Sequence, residues 1–424
     1  MIHYFDRSRT ESDHKCPRRR YWEYDYDGKG LQPVRLNQHL AFGGAVHNVI
    51  ASILEYCKLP DTVILTQRAE RAAAFPEMPV VDGLIKLGQA ELRRQFKESK
   101  GFQVEPILEE GFDGQIVQVT EDQTWLVDHY CDLLEGLVVG WCLVRLPALL
   151  EQYRVVQVET EEQLQISPEL MFLSRPDAIL ERRTDGALVI LSLKTVSSVN
   201  QMWLENFKTD QQTISEVLPV EARLGWEVAG VQVEGLTKGA MAVDWPRGAG
   251  HKHHASPLIW GYLCEAGGLD LEWKAKYEWK DDAGNNRRLG KGWNRQRIAE
   301  RYPGGIPEWV GWLYQNEPEL LRAQFPSPPL ICRSVQELEE WQVQVKHREI
   351  EVHNALVQIQ NRGDEQINDI LCEAFPKHTD GCAYDPQFHS KCPCYELCWG
   401  TAGIDPIGCG EFKYRVPNHP EEGL

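Results

Sequence analysis

The chain has 424 residues, 42% hydrophobic and 25% charged, enough to bury a substantial core in one elaborated domain or two. No apolar run approaches the roughly 18 residues of a membrane-spanning helix, and residues 1–15 hold no apolar stretch of the secretory kind, so the cytoplasm is the expected compartment. A net charge of −18 excludes a uniformly basic coat for nucleic acid, because phosphate affinity rests on Lys and Arg displacing counterions, and any DNA contact must be local.

Two basic clusters are candidates for such contact. Arg7, Arg9, Arg18, Arg19 and Arg20 form one, and Arg287, Arg288, Lys291, Arg295, Arg297 and Arg301 the other, although most clusters of this kind are solvated surface.

In chain order, the first strong signal is an apolar stripe at helical spacing, Phe42, Val46, Val49, Ile50, Ile53 and Leu54, which predicts a helix over 40–56. A largely helical region follows, including 122–153. From Arg154 the pattern turns to alternation and predicts three strands, over 154–160, 175–182 and 187–195. Asp185-Gly186 reads as a two-residue hairpin turn between the last two, which would set Thr184 opposite Ala187 and Asp177 opposite Lys194.

Residues 201–236 read as a helix and then a strand, with alternation over 228–238. The segment from Ala240 to about Pro329 is rich in Trp, Gly, Pro and charge, with loops expected at 251–257 and 281–292. It reads as an insertion between a core (1–239) and a C-terminal unit (331–424). Ser334-Val335-Gln336-Glu337 has capping-box spacing and opens a helix to about Gly363. The fold class is α/β, a central mixed sheet flanked by helices.

The hairpin carries the chemistry. Ser192 and Lys194 share a face of their strand, Asp177 comes across from that face, and Glu159 ends the preceding strand. Carboxylates beside a lysine at strand ends suit a hard divalent cation, although an Asp and a Lys on paired strands are also an ordinary surface ion pair.

These residues resemble the signature of the PD-(D/E)XK nuclease superfamily, in its RecB-like branch of AddB-type and CRISPR-adaptation nucleases. Pro176-Asp177 and Ser192-Leu193-Lys194 stand where that family has Asp, a hairpin and acid-x-Lys. Gly43 to His47 resembles its Gly-x-x-x-His helix, and Thr209-Asp210-Gln211-Gln212 its Gln-bearing helix. The resemblance implies a restriction-endonuclease-like core, with Mg²⁺ or Mn²⁺ held by His47, Asp177 and Glu159, and Lys194 and Gln212 in the catalytic set. Two positions depart from the pattern. Ser192 replaces the motif acid, for which Glu159 is the candidate substitute and Glu161 and Glu162 the alternatives; Glu216 stands where the Gln-x-x-x-Tyr helix has its aromatic.

Twelve cysteines are many for a reduced compartment. Cys57, Cys131, Cys142, Cys264, Cys332 and Cys372 are scattered and read as small buried hydrophobes. Cys382, Cys392, Cys394, Cys398 and Cys409 crowd near the C-terminus. Four thiolates suit either a [4Fe–4S] cluster or a structural Zn²⁺. The same nuclease branch has iron–sulfur members with one N-terminal and three C-terminal cysteines, which implies a [4Fe–4S] cluster on Cys16, Cys382, Cys392 and Cys398, with Cys394 spare.

The resemblance implies metal-dependent DNA cleavage, exonucleolytic on ends or single strands, in recombination or phage DNA metabolism in a bacterial or phage-infected cell, with the question of a helicase or recombinase partner left open. A DNA-end-binding protein that lost catalysis at Ser192, and a zinc-stabilised structural protein, are the alternatives.

Overall fold

The computed structural model describes residues 2–34, 37–58, 79–98, 107–110, 116–119, 124–197, 199, 201–207, 209–239, 256, 258, 278–280, 286–288, 302–361, 364–379, 382, 391–417 and 419. The chain opens with strand β1 (His3–Asp6), helices α1 (Arg7–Lys15) and α2 (Pro17–Arg20), and the short strand β2 (Leu31–Pro33). Helix α3 (Gln38–Tyr56) follows, capped by Asn37, whose side chain accepts the N–H groups of His39 and Leu40. Its predicted apolar stripe is the face it buries.

Helices α4 (Pro79–Glu98), α5 (Thr124–Val144) and α6 (Leu146–Gln152) come next. The region expected to be helical over 122–153 thus breaks at Arg145, before a helix with Pro147 in its first turn, where a missing N–H costs nothing. Among the described residues no single helix is long and apolar enough to cross a membrane.

Five strands succeed one another: β3 (Tyr153–Val158), β4 (Glu162–Ser167), β5 (Leu170–Ser174), β6 (Ala178–Arg182) and β7 (Leu188–Val196). Three short helices, α7 (Gln201–Asn206), α8 (Gln211–Ser215) and α9 (Val217–Leu224), then lead to β8 (Val228–Thr237). The central sheet has the order β8-β7-β6-β3, with β7 parallel to β8 and the other pairs antiparallel.

Both faces of this sheet are covered, which is why β7 reads as an almost unbroken apolar run. Leu180, Val189, Leu191 and Leu193 pack with α3 and α5, while Ile179, Ile190, Val231 and Val233 pack with Phe207, Val217 and Val220. Strands β4 and β5 and the N-terminal strand β1 were not expected. They form a second sheet, β1-β5-β4, because the polar outer residues of β4 hide its alternation.

The hairpin register corrects the sequence reading. Ala178 pairs with Leu191 and Glu181 with Leu188, and the Ala187 carbonyl accepts the Arg182 N–H at 2.8 Å. The turn is therefore a four-residue loop, not a two-residue one. Asp185 ties it down by pairing with the Arg182 guanidinium and accepting the Ala187 N–H, and Gly186 supplies the left-handed conformation at φ +77°. The shift is two positions, so every side chain keeps its face, but Asp177 now stands level with Ser192 instead of Lys194.

Beyond β8, helices α10 (Gly305–Asn316) and α11 (Pro318–Arg322) lie within the segment expected to be an insertion, yet Trp309, Val310, Leu313 and Leu321 belong to the same core as α3 and α5. Asn286–Arg288, expected to be loop, pairs antiparallel with Glu278–Lys280; the rest of that stretch, Lys291, Arg295, Arg297, Arg301 and Cys264 lie outside the described residues. The long helix α12 (Val335–Asn361) starts as predicted: the Glu337 carboxylate accepts the Ser334 N–H at 2.8 Å and the Ser334 hydroxyl accepts the Glu337 N–H at 3.2 Å.

Helices α13 (Asp364–Ala374) and α14 (Tyr395–Trp399) and strand β9 (Phe412–Tyr414) complete the chain, and β9 pairs antiparallel with β2. Tyr21, Trp22 and Leu31 from the start of the chain pack with Phe375, Cys394, Leu397 and Phe412 from its end. The two termini therefore share a small core of their own.

Candidate active site and cysteine cluster

Gly43 and His47 lie one turn apart on α3 and so face the same way. A Cβ at Gly43 would stand 2.9 Å from the Thr195 hydroxyl, so the missing side chain lets α3 lie against β7. That approach carries His47 to the strand ends, where its Nδ1 is 3.2 Å from Asp177 Oδ1. The other Asp177 oxygen accepts the Leu193 N–H at 2.6 Å. Burial alone would raise the Asp177 pKa, but His47, Lys194 and the Leu193 N–H together lower it, so the carboxylate stays ionised.

Glu159 is the first residue past β3, and its N–H donates to the Asp177 carbonyl at 3.2 Å. Its φ of +48° is a left-handed conformation that a non-glycine residue holds only at a cost on the order of 1 kcal/mol. Burial and the neighbouring Asp177 charge push its carboxyl up to about 7, against the pull of Arg175 and His47. Arg175 pairs with it at 3.2 Å. Of the expected trio, His47 and Asp177 touch through their side chains, and Glu159 joins Asp177 through its backbone and lies within electrostatic range of both.

The alternatives Glu161 and Glu162 do not join them. Glu161 pairs with Arg175 and His419, and Glu162 is fully buried against Arg223. Glu161 shares Arg175 with Glu159 without contacting Asp177 or His47.

On the other side of Asp177, the Lys194 ammonium donates to the side-chain carbonyl of Gln212. Asp210 caps α8 by accepting the Gln212 N–H at 2.9 Å, which sets the Gln212 side chain over the sheet. The Gln212 amide donates to Ser192 Oγ at 3.2 Å and to Glu216 Oε1 at 2.6 Å. Ser192 is fully buried, and Glu216 is 6% exposed. Burial pushes Glu216 up to about 7, while Lys194 and Arg7 pull it down; Lys194 is lowered by burial and by Arg7, against Asp177 and Glu216. Sequence reasoning noted Glu216 only as a missing aromatic; an acid four residues after Gln212, on the same helical face, was the signal for it.

Most of the first basic cluster is engaged within the protein. Arg20 is fully buried and grips Glu349 with two hydrogen bonds of 2.6 and 2.7 Å. Arg18 donates to the Phe375 and Leu371 carbonyls at 2.8 and 2.7 Å at the end of α13, where the Leu371 carbonyl also accepts the Phe375 N–H. Arg9 is buried beside Asp25, and Arg19 pairs with Glu23. Only Arg7 of the five lies near the site just described, through its electrostatic coupling to Glu216 and Asp210.

The cysteines from the two ends of the chain also approach one another. Cys16 follows α1, and its sulfur accepts the His378 N–H at 3.4 Å. The Cys382 thiol donates to the His378 carbonyl at 3.0 Å, and the Cys382 carbonyl accepts the Cys392 N–H at 3.1 Å. Burial raises the Cys398 thiol, with Trp22 pulling it down and Cys16 near enough to push it further up. Cys394 hydrogen-bonds Cys392, which draws Cys392 down to about 6 and drives buried Cys394 well up. Cys57, Cys332 and Cys372 are not buried, unlike Cys131 and Cys142, so the reading as small core residues holds for only part of the scattered set.

Among the described residues, no three His, Cys, Asp or Glu side chains are grouped closely enough to hold a metal ion as they stand. The donor chemistry nevertheless suits both groups: an imidazole and two carboxylates suit a hard divalent cation, and thiols suit iron–sulfur or zinc. In comparisons with known proteins, no family model matches the chain, and no relative is found among curated proteins.

Proposed function

We propose that this protein is a divalent-metal-dependent DNA nuclease of the PD-(D/E)XK, RecB-like kind. The observation that carries the reading is the meeting of His47 and Asp177 at 3.2 Å at one end of the sheet, with Glu159 and Lys194 within electrostatic range of Asp177. The chain order also supports it: the helix of His47, the hairpin of Asp177 and Lys194, and the helix of Gln212 follow one another as the motifs of the resemblance do.

In this reading His47, Asp177 and Glu159 would hold Mg²⁺ or Mn²⁺. When bound, the cation supplies Lewis-acid polarisation of the phosphate and acidifies a water. Asp177 contributes a permanent negative charge, fixed in direction by the Leu193 N–H. Lys194, oriented by Gln212, places a positive charge where negative charge develops on the phosphate. Cys16, Cys382, Cys392 and Cys398 would hold a [4Fe–4S] cluster with a structural role, fastening the two ends of the chain beside the core.

A second reading, a DNA-end-binding protein without catalysis, draws on Ser192, which is fully buried and brings no charge to the site. End-labelled single- and double-stranded DNA, incubated with anaerobically purified protein in Mg²⁺, Mn²⁺ or EDTA, separates the two. Metal-dependent cleavage supports the nuclease. Binding with no cleavage in either metal supports the second reading.

A further inference from the structure

Ser192 occupies a position where the resemblance expects a carboxylate, and the lysine two residues on is still present. A partly buried ammonium needs a counter-charge close by, and Asp177 is already engaged by His47 and the Leu193 N–H. Gln212 connects Lys194 to a second carboxylate. Its carbonyl oxygen takes the ammonium's hydrogen bond, and its amide donates both to the Ser192 hydroxyl and, at 2.6 Å, to Glu216. The other Glu216 oxygen is buried and has no hydrogen-bond partner. A carboxylate kept in that condition is costly unless the surrounding charge favours it. Lys194 and Arg7 lie close enough to offset part of that cost, and with the carboxyl pushed up to about 7 the charged form prevails at pH 8.

We infer that Glu216 supplies the negative charge that position 192 lacks, and that it acts as a positioning residue, orienting Lys194 through the Gln212 amide. The carboxylate has moved from strand β7 to the junction of α8 and α9, while the Ser192 hydroxyl keeps the amide in place from the strand side. The side-chain amide is suited to this relay because it is a fixed dipole: the donor end binds the carboxylate, and the acceptor end is turned towards the ammonium. Glu216 has no part in holding the cation.

The catalytic consequence rests on the nuclease reading; the charge relationship does not, so the test has two parts. Thermal melts of metal-free wild type, Ser192→Asp, Glu216→Gln and the double variant at pH 8 form a cycle. Ser192→Asp should lower Tm when Glu216 is present, because two carboxylates then compete for one lysine. In Glu216→Gln it should raise Tm, because it restores the missing charge. The same sign in both backgrounds overturns the inference, whether or not the protein cleaves DNA.

In cleavage assays Glu216→Gln should lower kcat by roughly 10–100-fold with KM unchanged, and Ser192→Asp should recover at least about tenfold of that loss. Glu216→Asp, which keeps the charge, should retain most of the activity; if it is as impaired as Glu216→Gln, shape and not charge is at work. Calorimetric Mn²⁺ affinity should be the same in Glu216→Gln as in wild type. A tenfold loss of Mn²⁺ affinity would make Glu216 a ligand and overturn its assignment as a positioning residue. If wild type cleaves nothing, the nuclease reading fails, and the melting cycle still decides the charge relationship. If Glu216→Gln does not fold, Glu216→Asp completes the cycle, with Ser192→Asp lowering Tm in that background as it does in wild type; a rise there overturns the inference.

Discussion

His47 and Asp177 stand 130 residues apart in sequence and meet at 3.2 Å, one from helix α3 and the other from the residue before strand β6. The contact joins the helical layer to the central sheet at the point where Glu159 also arrives. Replacing any of the three by alanine is expected to lower metal-dependent cleavage by roughly 10²–10³-fold, the scale of removing one charge-stabilising group from a preorganised site. Single-turnover rates at saturating Mn²⁺ would check it. Glu159→Ala with unchanged rates would remove Glu159 from the cation-holding set and leave His47 and Asp177 alone.

The approach of α3 to β7 depends on Gly43. A Cβ there would sit 2.9 Å from the Thr195 hydroxyl, and a whole leucine side chain cannot be accommodated without moving the helix. Gly43→Leu is expected to cost about 1–3 kcal/mol in stability. It should also lower cleavage by roughly 10²-fold, because displacing His47 by about 1 Å is enough for that. Urea denaturation and cleavage rates on the same preparation measure the two effects.

Lys194→Ala should abolish cleavage while leaving single-stranded DNA binding within about threefold, since a single phosphate contact contributes little to overall affinity when many share it. Fluorescence anisotropy with labelled oligonucleotide, in Ca²⁺ in place of Mg²⁺, reads binding apart from cleavage. Loss of binding together with cleavage would place Lys194 in the DNA-holding surface instead.

Arg20 and Glu349 predict a pH dependence of stability. Burial by itself would raise the Glu349 pKa, but the Arg20 charge and hydrogen bonds, helped by His3, lower it from 4.5 to about 2. A carboxyl lowered on folding contributes stability that is fully present above its unfolded value and disappears as pH falls through its folded one. The urea midpoint should therefore fall between about pH 4.5 and pH 2, and Glu349→Gln should flatten that fall. At pH 7, Arg20→Ala leaves the buried carboxylate with only the His3 ring beside it and should cost about 3–5 kcal/mol.

Anaerobic preparations should be brown, with broad visible absorption and bound iron. Cys16→Ser is expected to remove the colour and the iron and to lower Tm, whereas Cys394→Ser should retain both iron and colour. A colourless protein with one equivalent of zinc by elemental analysis would replace the iron–sulfur assignment by a zinc one.

Local patterns in the sequence were enough for α3, the capping box of α12, the three strands of the site and the place, though not the length, of the turn at Gly186, because each depends on periodicity or on one residue's conformational preference. They marked Asp177, Lys194 and Glu159, and the resemblance to the nuclease family added His47 and Gln212. The hairpin register escaped by two positions because it is set by the Arg182–Asp185 pairing and the Ala187 N–H, contacts that local turn propensity does not encode. Sheet β1-β5-β4 escaped because one of its strands comes from the far N-terminus and another alternates with polar residues.

What the chain determines by itself is which segments alternate, which helices have an apolar face, and which residue types are present to bind a cation. Only the tertiary structure decides which charges face one another. Arg18 and Arg20 look like a DNA-binding patch in sequence and turn out to hold the two ends of the chain together, because their partners, Glu349 and the carbonyls of α13, lie more than three hundred residues away. Glu216 looks like a departure from a pattern and becomes the nearest carboxylate to the Gln212 amide, because the turn of α8 folds it back over Ser192. Electrostatic roles depend on distance and burial in three dimensions, and those are properties of the packed chain, not of the order of its residues.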